Sequence, residues 1–280
     1  MDIRTALLQG RQLLEEAGIA APRLTAEVLL MHAIGCERAW LYAHSDDELR
    51  ELWWIHYGRY LHERLKGKPT QYITGRQEFY GREFRVTPDV LIPRPETEHS
   101  VEAALELARE ARSIVDIGTG SGAIAVTLAL ETKLRIVATD ISERALRIAR
   151  GNAARLGAAV DFVACDLGYA LRDGAFDLVV SNPPYVPGAD KENVQKEVRE
   201  YEPHVALFGG LDGLDVCRRL IPEARRLLRP GGVLIVEIGA LMEQQMRQLL
   251  AGWRDTFVKT DLAGLPRVVV ARRPSPPAVS

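Results

Sequence analysis

Apolar residues recur at helical spacing from Thr5 to about Lys66: Leu7 and Leu8, then Leu13 and Leu14; Leu24, Val28 and Leu29; Leu49, Leu52 and Trp53. With no β-branched runs in this stretch, the period predicts a helical module. Residues 18–22, running from a glycine to a proline, separate the first two helices, and Gly35-Cys36 ends the second. Ser45-Asp46-Asp47-Glu48 reads as the N-terminal cap of another helix. From Gly67 to Pro95 the pattern changes to glycine, proline and alternating residues, which predicts a hairpin followed by the proline-stiffened run Val90-Leu91-Ile92-Pro93-Arg94-Pro95. A connector that only spans would be polar, so Phe79, Tyr80 and Phe84 predict that this one packs on something.

After Glu96 the pattern becomes strand, helix, strand, helix. Short apolar strands are predicted at residues 114–117, 136–138, 162–163, 178–180 and 233–236, with amphipathic helices between most of them. That alternation predicts an α/β doubly wound sheet with a mostly parallel core. Residues 257–259 and 268–270 are too close in sequence for a crossover helix, so they are expected to pair as an antiparallel terminal hairpin. The expected organisation is a helical domain at 1–75, a β-hairpin connector at 76–95, the sheet domain at 96–272, and a disordered proline-rich tail at 273–280.

Composition narrows the class. Apolar residues make up 47% and charged residues 26% of the 280, mean hydropathy is -0.08, and no apolar run approaches the ~18 residues of a membrane span. Lys and Arg number 36 against 38 Asp and Glu, and the balance is local: through Gly75 there are nine basic and ten acidic residues. A protein that grips duplex nucleic acid usually carries a basic lobe, and none is encoded here. Cys36, Cys165 and Cys217 are odd in number and widely spaced, which predicts neither a disulfide framework nor a zinc site. The six histidines lack ligand spacing, so no metal is expected. The N-terminus carries an early acid and no apolar leader, which favours a cytoplasmic location.

Chemistry first shows after the first sheet strand, in Gly118-Thr119-Gly120-Ser121-Gly122, where glycines let backbone approach a ligand closely before the helix from about Ala123 to Leu130. Asp140, at the end of the second strand, is placed to accept both hydroxyls of a ribose. Gly118, Gly120 and Ala123 also satisfy a nicotinamide-type fingerprint, so an oxidoreductase or a non-catalytic nucleotide-binding module stands as a rival reading. Asp116 tilts the choice, because a carboxylate ahead of the glycines would repel a pyrophosphate but suits the ammonium of S-adenosylmethionine (SAM). At the end of the third strand Asp166 can accept from an adenine amine, and Leu167 can cover the ring.

The deciding motif follows the fourth strand: Asn182-Pro183-Pro184-Tyr185. The prolines bring no N–H, the carbonyls before them are acceptors in fixed directions, and Asn182 adds a side-chain carbonyl. Such a loop can grip a planar –NH2 while Tyr185 stacks on its face. Holding both N–H groups lets positive charge build on a poorly nucleophilic amide or adenine nitrogen as it attacks the sulfonium methyl; no general base is required if the methylated nitrogen becomes acidic enough to lose its proton to a nearby carbonyl or water. Asn182, Pro183 and Tyr185 are therefore the expected catalytic residues, with Pro184 joining them in substrate binding.

Here the chain resembles the release-factor glutamine methyltransferases of the PrmC/HemK type. The resemblance rests on the glycine loop, Asp140, Asn182-Pro183-Pro184-Tyr185, and the block Leu91-Ile92-Pro93-Arg94-Pro95-Glu96-Thr97-Glu98. Glu202-Pro203, Ala206-Leu207, Gly209-Gly210 and the helical N-terminal module add to it. It implies a Rossmann-like SAM-dependent methyltransferase sheet and methylation of the glutamine in the Gly-Gly-Gln loop of peptide chain release factors. By that resemblance residues 118–122 hold the methionine portion, Asp140 the ribose, Asp166 and Leu167 the adenine, and residues 182–185 the substrate glutamine. The helical module would recognise the protein substrate. An adenine-N6 methyltransferase of nucleic acid shares the loop chemistry, and the missing basic lobe argues against it. The residues leave open whether Arg94 contacts substrate or pins the connector.

Overall fold

The described residues, 1–275 of the computed structural model, divide between a helical unit (1–76 and 195–201) and a sheet unit (77–194 and 202 onwards). In the helical unit, α1 (Ile3–Glu16) is capped by Asp2, whose carboxylate accepts the Thr5 N–H at 2.7 Å. The carbonyls of Asp47 and Ser45 take the N–H groups of Ile3 and Arg4 at 3.1 and 2.8 Å. This is why residues 45–48 do not cap the following helix as expected: their backbone is committed to the start of α1, where unpartnered donors must be satisfied. Helix α2 (Pro22–Ile34) opens on proline and ends at Gly35. The short α3 (Arg38–Ala43) follows, then α4 (Glu51–Leu65), which starts after Arg50 with no side-chain cap, and α5 (Thr70–Thr74). Ile3, Leu14, Leu29, Leu30, Leu41 and Tyr57 are fully buried and form the core of this unit.

The sheet unit begins with the hairpin β1 (Arg76–Phe79) and β2 (Arg82–Arg85). Phe79 and Phe84 meet edge to face at 6.0 Å between ring centroids and are buried in the same apolar cluster as α6 (Glu98–Leu107) and α7 (Ala123–Glu131). Tyr80 packs against that cluster. The hairpin is thus held by its aromatic residues.

Among the described residues the main sheet has seven strands. β3 (Ser113–Ile117) pairs in parallel with β4 (Arg135–Asp140) on one side and β6 (Phe176–Ser181) on the other; β5 (Asp161–Ala164) lies beyond β4, and β7 (Leu228–Glu237) beyond β6. Helix α8 (Glu143–Leu156), capped by Ser142 through the Ala145 N–H at 3.2 Å, connects β4 to β5. Between β6 and β7 the chain contributes α9 (Lys196–Tyr201) to the helical unit. There Glu197 pairs with the buried Arg64, and the Tyr201 hydroxyl donates to the Lys66 carbonyl at 3.2 Å. This differs from an unbroken sheet domain over 96–272, because a six-residue polar helix carries no local sign of its distant partner. The chain re-enters the sheet unit at Glu202 and forms α10 (His204–Leu207) and α11 (Asp215–Leu227). After β7 come α12 (Glu243–Leu249), β8 (Arg254–Thr260) and β9 (Pro266–Arg272), with β9 antiparallel to both β7 and β8.

The strand order β5-β4-β3-β6-β7-β9-β8 reverses direction at β3, so a crevice opens beyond the carboxyl ends of β3 and β6. The expected disordered tail begins too early at 273: the Arg273 N–H donates to the Gly232 carbonyl at 2.8 Å and its carbonyl accepts from Gly231 at 3.1 Å. Residues 276–280 of that tail lie outside the described residues. Among the described residues no helix is long and apolar enough to cross a membrane.

Candidate functional site

The crevice is a cleft of about 1190 Å³, including its mouth open to solvent. The connector with Thr97, the glycine loop after β3, the ends of β4 and β5, the loop after β6, the start of α10 and the first turns of α11 line it. The strand ends among them are carboxyl ends of parallel strands, where open α/β sheets bind ligands.

Gly118, Thr119, Gly120 and Ser121 line the cleft, and a Cβ placed on Gly118 or Gly120 would meet no heavy atom within 4 Å. The loop therefore offers open space for a ligand to approach backbone. Gly122 turns away from the cleft, and a Cβ there would press on the Ala149 Cβ at 3.1 Å, so it serves helix packing where it was expected to contact cofactor. Asp140 accepts the Gly120 N–H through Oδ2 at 2.9 Å and the Ser142 N–H through Oδ1 at 2.8 Å. The two bonds fix the carboxylate against the cleft, and each oxygen keeps a further lone pair. Asp166 and Leu167 are also on the wall, with Asp166 paired to Arg219.

Asp116 corrects the charge argument. It is fully buried in β3, is absent from the cleft wall, accepts the Thr119 hydroxyl at 2.6 Å, and is pushed up to about 7 by burial. Its carboxylate braces the glycine loop through Thr119.

At the other end of the cleft, Asn182, Pro183 and Pro184 form the wall. The loop is stitched from behind: the Val186 N–H donates to the Leu207 carbonyl and the Gly209 N–H to the Val186 carbonyl, at 2.9 and 3.0 Å. A Cβ on Gly209 would come within 2.5 Å of the Pro184 carbonyl oxygen, so only glycine fits there. Tyr185 is not on the cleft wall. Its ring packs toward Met242 and Gly239, and its hydroxyl donates to Glu237 Oε1 at 3.3 Å. The structure therefore places the expected stacking residue beneath the loop rather than beside a bound –NH2.

Thr97, Arg94 and Glu202 were named by the sequence without their partners, and Glu237 and Ile141 were not named at all. The Asn182 amide donates through Nδ2 to Thr97 Oγ1 at 3.1 Å. Glu237, at the end of β7 and 1% exposed, is pushed up to about 7 by burial, against the hydroxyls of Thr97 and Tyr185, which favour its ionised form. Glu202, 4% exposed, accepts the Ile92 N–H at 3.1 Å and pairs with Arg94 at 2.5 Å, so Arg94 lines the cleft and pins the connector. Ile141 follows Asp140 and lines the cleft while 61% exposed. The one available signal was the density of polar residues in Arg94-Pro95-Glu96-Thr97-Glu98 just before a helix.

Comparison with known proteins agrees with this geometry. The family model for the PrmC N-terminal domain matches residues 5–75, and that for the methyltransferase small domain matches residues 101–202. The chain is 47% identical to the release factor glutamine methyltransferase of Koribacter versatilis, over 98% of this chain and 100% of that protein. It is 44% identical to that of Geobacter sulfurreducens, over 96% of each. Among solved structures, a methyltransferase from Pyrococcus furiosus shares the fold at a TM-score of 0.53 and 18% identity, covering 70% of this chain and 91% of that one. A T. thermophilus 16S rRNA methyltransferase shares it at 0.52 and 21%, covering 71% and 49%. At 44–47% identity over nearly its full length to two such enzymes, the chain belongs to the release factor glutamine methyltransferase family.

Proposed function

We propose that the protein transfers a methyl group from SAM to the side-chain amide nitrogen of the glutamine in the Gly-Gly-Gln loop of peptide chain release factors, in the cytoplasm. The observation that carries this reading is a single cleft with a carboxylate-braced glycine loop at one end and the wall Asn182-Pro183-Pro184, whose prolines bring no N–H, at the other.

The residues fit the cofactor. Gly118 and Gly120 leave room beside their backbone for the methionine portion, Asp140 keeps acceptor capacity for the ribose hydroxyls, and Leu167 with Ile141 offers apolar cover for adenine beside Asp166. SAM bound there supplies an electrophilic methyl on a sulfonium. The protein supplies alignment and charge. Asn182 Oδ1 and a backbone carbonyl of the proline loop accept the two N–H groups of the substrate amide, stabilising positive charge as it develops on nitrogen. Pro183 and Pro184 bring no competing N–H to this wall. The helical unit, with its balanced charge, recognises the release factor, and no stable nucleic-acid partner is expected.

The test is to incubate the enzyme with labelled SAM and a release factor, the same factor with its loop glutamine changed to alanine, or duplex DNA. Label is expected only in the unaltered factor, and label in DNA alone would overturn the reading. Asn182→Ala should abolish transfer with SAM affinity largely kept; unchanged turnover would refute the role given to the loop.

A further inference from the structure

We propose that Leu241 and Leu262, presented by two neighbouring loops beyond the substrate end of the cleft, form an apolar docking surface for the part of the release factor that flanks its glutamine loop. The choice of partner rests on the function proposed above, in which a release-factor glutamine enters the cleft.

The strand order places this surface. Along the carboxyl edge of the sheet, the ends of β5, β4 and β3 carry the residues assigned to adenine, ribose and methionine, and β6 leads into the wall Asn182-Pro183-Pro184. The edge continues past that wall with the end of β7 and then the turn between β8 and β9, because β9 runs antiparallel to both its neighbours. The two loops there are joined. The Ile238 N–H donates to the Arg267 carbonyl at 2.8 Å, and Ala240, Leu241 and Pro266 line one shallow depression of about 580 Å³, including space open to solvent. Contacts lead from both loops back to the cleft: a Cβ on Gly239 would lie 3.4 Å from the Tyr185 ring, and Arg267 approaches Glu96, the neighbour of cleft-lining Thr97, at 4.0 Å.

Both leucines are held outward by ordered backbone. Ile238 and Met242 are buried on either side of Leu241, which is 92% exposed. Leu262 is fully exposed at the tip of a turn organised by one carboxylate: Asp261 Oδ1 accepts the N–H groups of Ala263 and Leu265 at 2.9 and 3.0 Å, and Oδ2 accepts from Arg267 Nε at 2.8 Å. Neither leucine buries surface in the folded chain, so packing gives no reason for its presence. A preformed turn does lower the ordering cost of placing such a side chain in an interface. Apolar tips offer nothing to a phosphate backbone, whereas the centre of a protein interface is where they become buried. The cofactor half of the edge ends at β3, so a protein whose loop reaches the β6 wall has the β7 to β8 side of the rim open to its flanking surface.

The experiment uses the full chain with SAM and a release factor. Leu241→Ser combined with Leu262→Ser should raise KM for the factor about 10-fold or more, the size expected when apolar anchors are removed from an interface. Because the lost contacts lie away from the reacting atoms, kcat at saturating factor and SAM affinity by calorimetry should each move by less than about twofold. The thermal midpoint should hold, since neither side chain is buried. Leu241→Met combined with Leu262→Met keeps the apolar area and should stay within about threefold of the wild-type KM. The proposal falls if the serine pair keeps the wild-type KM, if the methionine pair is as impaired as the serine pair, or if the loss lies in kcat or SAM affinity. It also falls if sedimentation shows a wild-type dimer that the serine pair dissolves while KM is unchanged, which would assign the surface to a second copy of the chain. A wild-type enzyme that leaves the release factor unlabelled would instead overturn the proposed function.

Discussion

Asn152, wholly buried on α8, accepts the amide N–H of Arg85 at 2.8 Å and donates to the Arg85 carbonyl at 3.0 Å. The same amide donates to the Ser121 carbonyl at 2.9 Å. One side chain thus ties the end of the β1–β2 hairpin to the glycine loop, and neither segment can shift without breaking bonds in the other.

Asn152→Leu, similar in volume, leaves those three backbone groups without their partner. An unsatisfied buried polar group costs about 1–3 kcal/mol, and the Arg85 groups are nearer solvent, so a loss of roughly 2–4 kcal/mol is expected from urea unfolding. SAM affinity should weaken as well, because Ser121 lines the cleft in which the cofactor is proposed to bind. A variant within about 0.5 kcal/mol of the wild type, inside the range of an ordinary surface change, would contradict the role.

Residues whose meaning is local were legible in the sequence. The apolar runs 114–117 and 233–236 form strands β3 and β7, and Asp140 sits against the cleft, since strand period and strand-end chemistry are written in neighbouring positions. Residues whose meaning lies in a distant partner were not. Thr97 and Asn182 are 85 positions apart, Arg94 and Glu202 are 108 apart, and Asn152 looks like any polar residue on an amphipathic helix. Asp116 shows the reverse error: its place before the glycines suggested a ligand contact, whereas the strand turns its side chain into the protein.

The Arg94–Glu202 pair is asymmetric, with side chains 32% and 1% exposed. Removing the arginine strands a buried carboxylate with only the Ile92 N–H, whereas removing the acid leaves a guanidinium that water reaches. Arg94→Met is therefore expected to destabilise by roughly 2–4 kcal/mol and Glu202→Gln by about 1. The double variant should be no worse than Arg94→Met alone. Urea unfolding of the three proteins checks the order, and equal losses in the single variants would count against it.

Tyr185 packs its ring in the apolar layer and spends its hydroxyl on Glu237. Tyr185→Phe should cost about 1 kcal/mol of stability for the lost hydrogen bond, and Tyr185→Ala roughly 2–4 for the lost packing. Activity should follow the same order, with alanine worse than phenylalanine. If the ring instead stacked on substrate, Tyr185→Ala would lose turnover while its thermal midpoint stayed unchanged, so measuring both separates the two roles.

The buried carboxyls of Asp116 and Glu237 give stability a defined pH dependence. Burial is the leading cause in both, pushing each up to about 7 from ordinary values of 3.8 and 4.5. Nearby charges modulate the effect: Asp140 raises Asp116, while for Glu237 the charge of Glu96 raises and that of Arg267 lowers. Because the folded state holds these protons when the unfolded chain has released them, their contribution is fully present below the unfolded values and is lost as pH rises through about 7. At roughly 1.4 kcal/mol per pKa unit, Glu237 alone accounts for on the order of 3 kcal/mol between acid and neutral pH. Glu237→Gln stays neutral throughout. The difference in urea-unfolding free energy between pH 5 and pH 7.5, taken without cofactor, should therefore shrink in this variant relative to the wild type. Groups elsewhere titrate alike in both proteins, so the comparison isolates Glu237, and an unchanged difference would mean that its carboxyl is already ionised in the folded protein at pH 5.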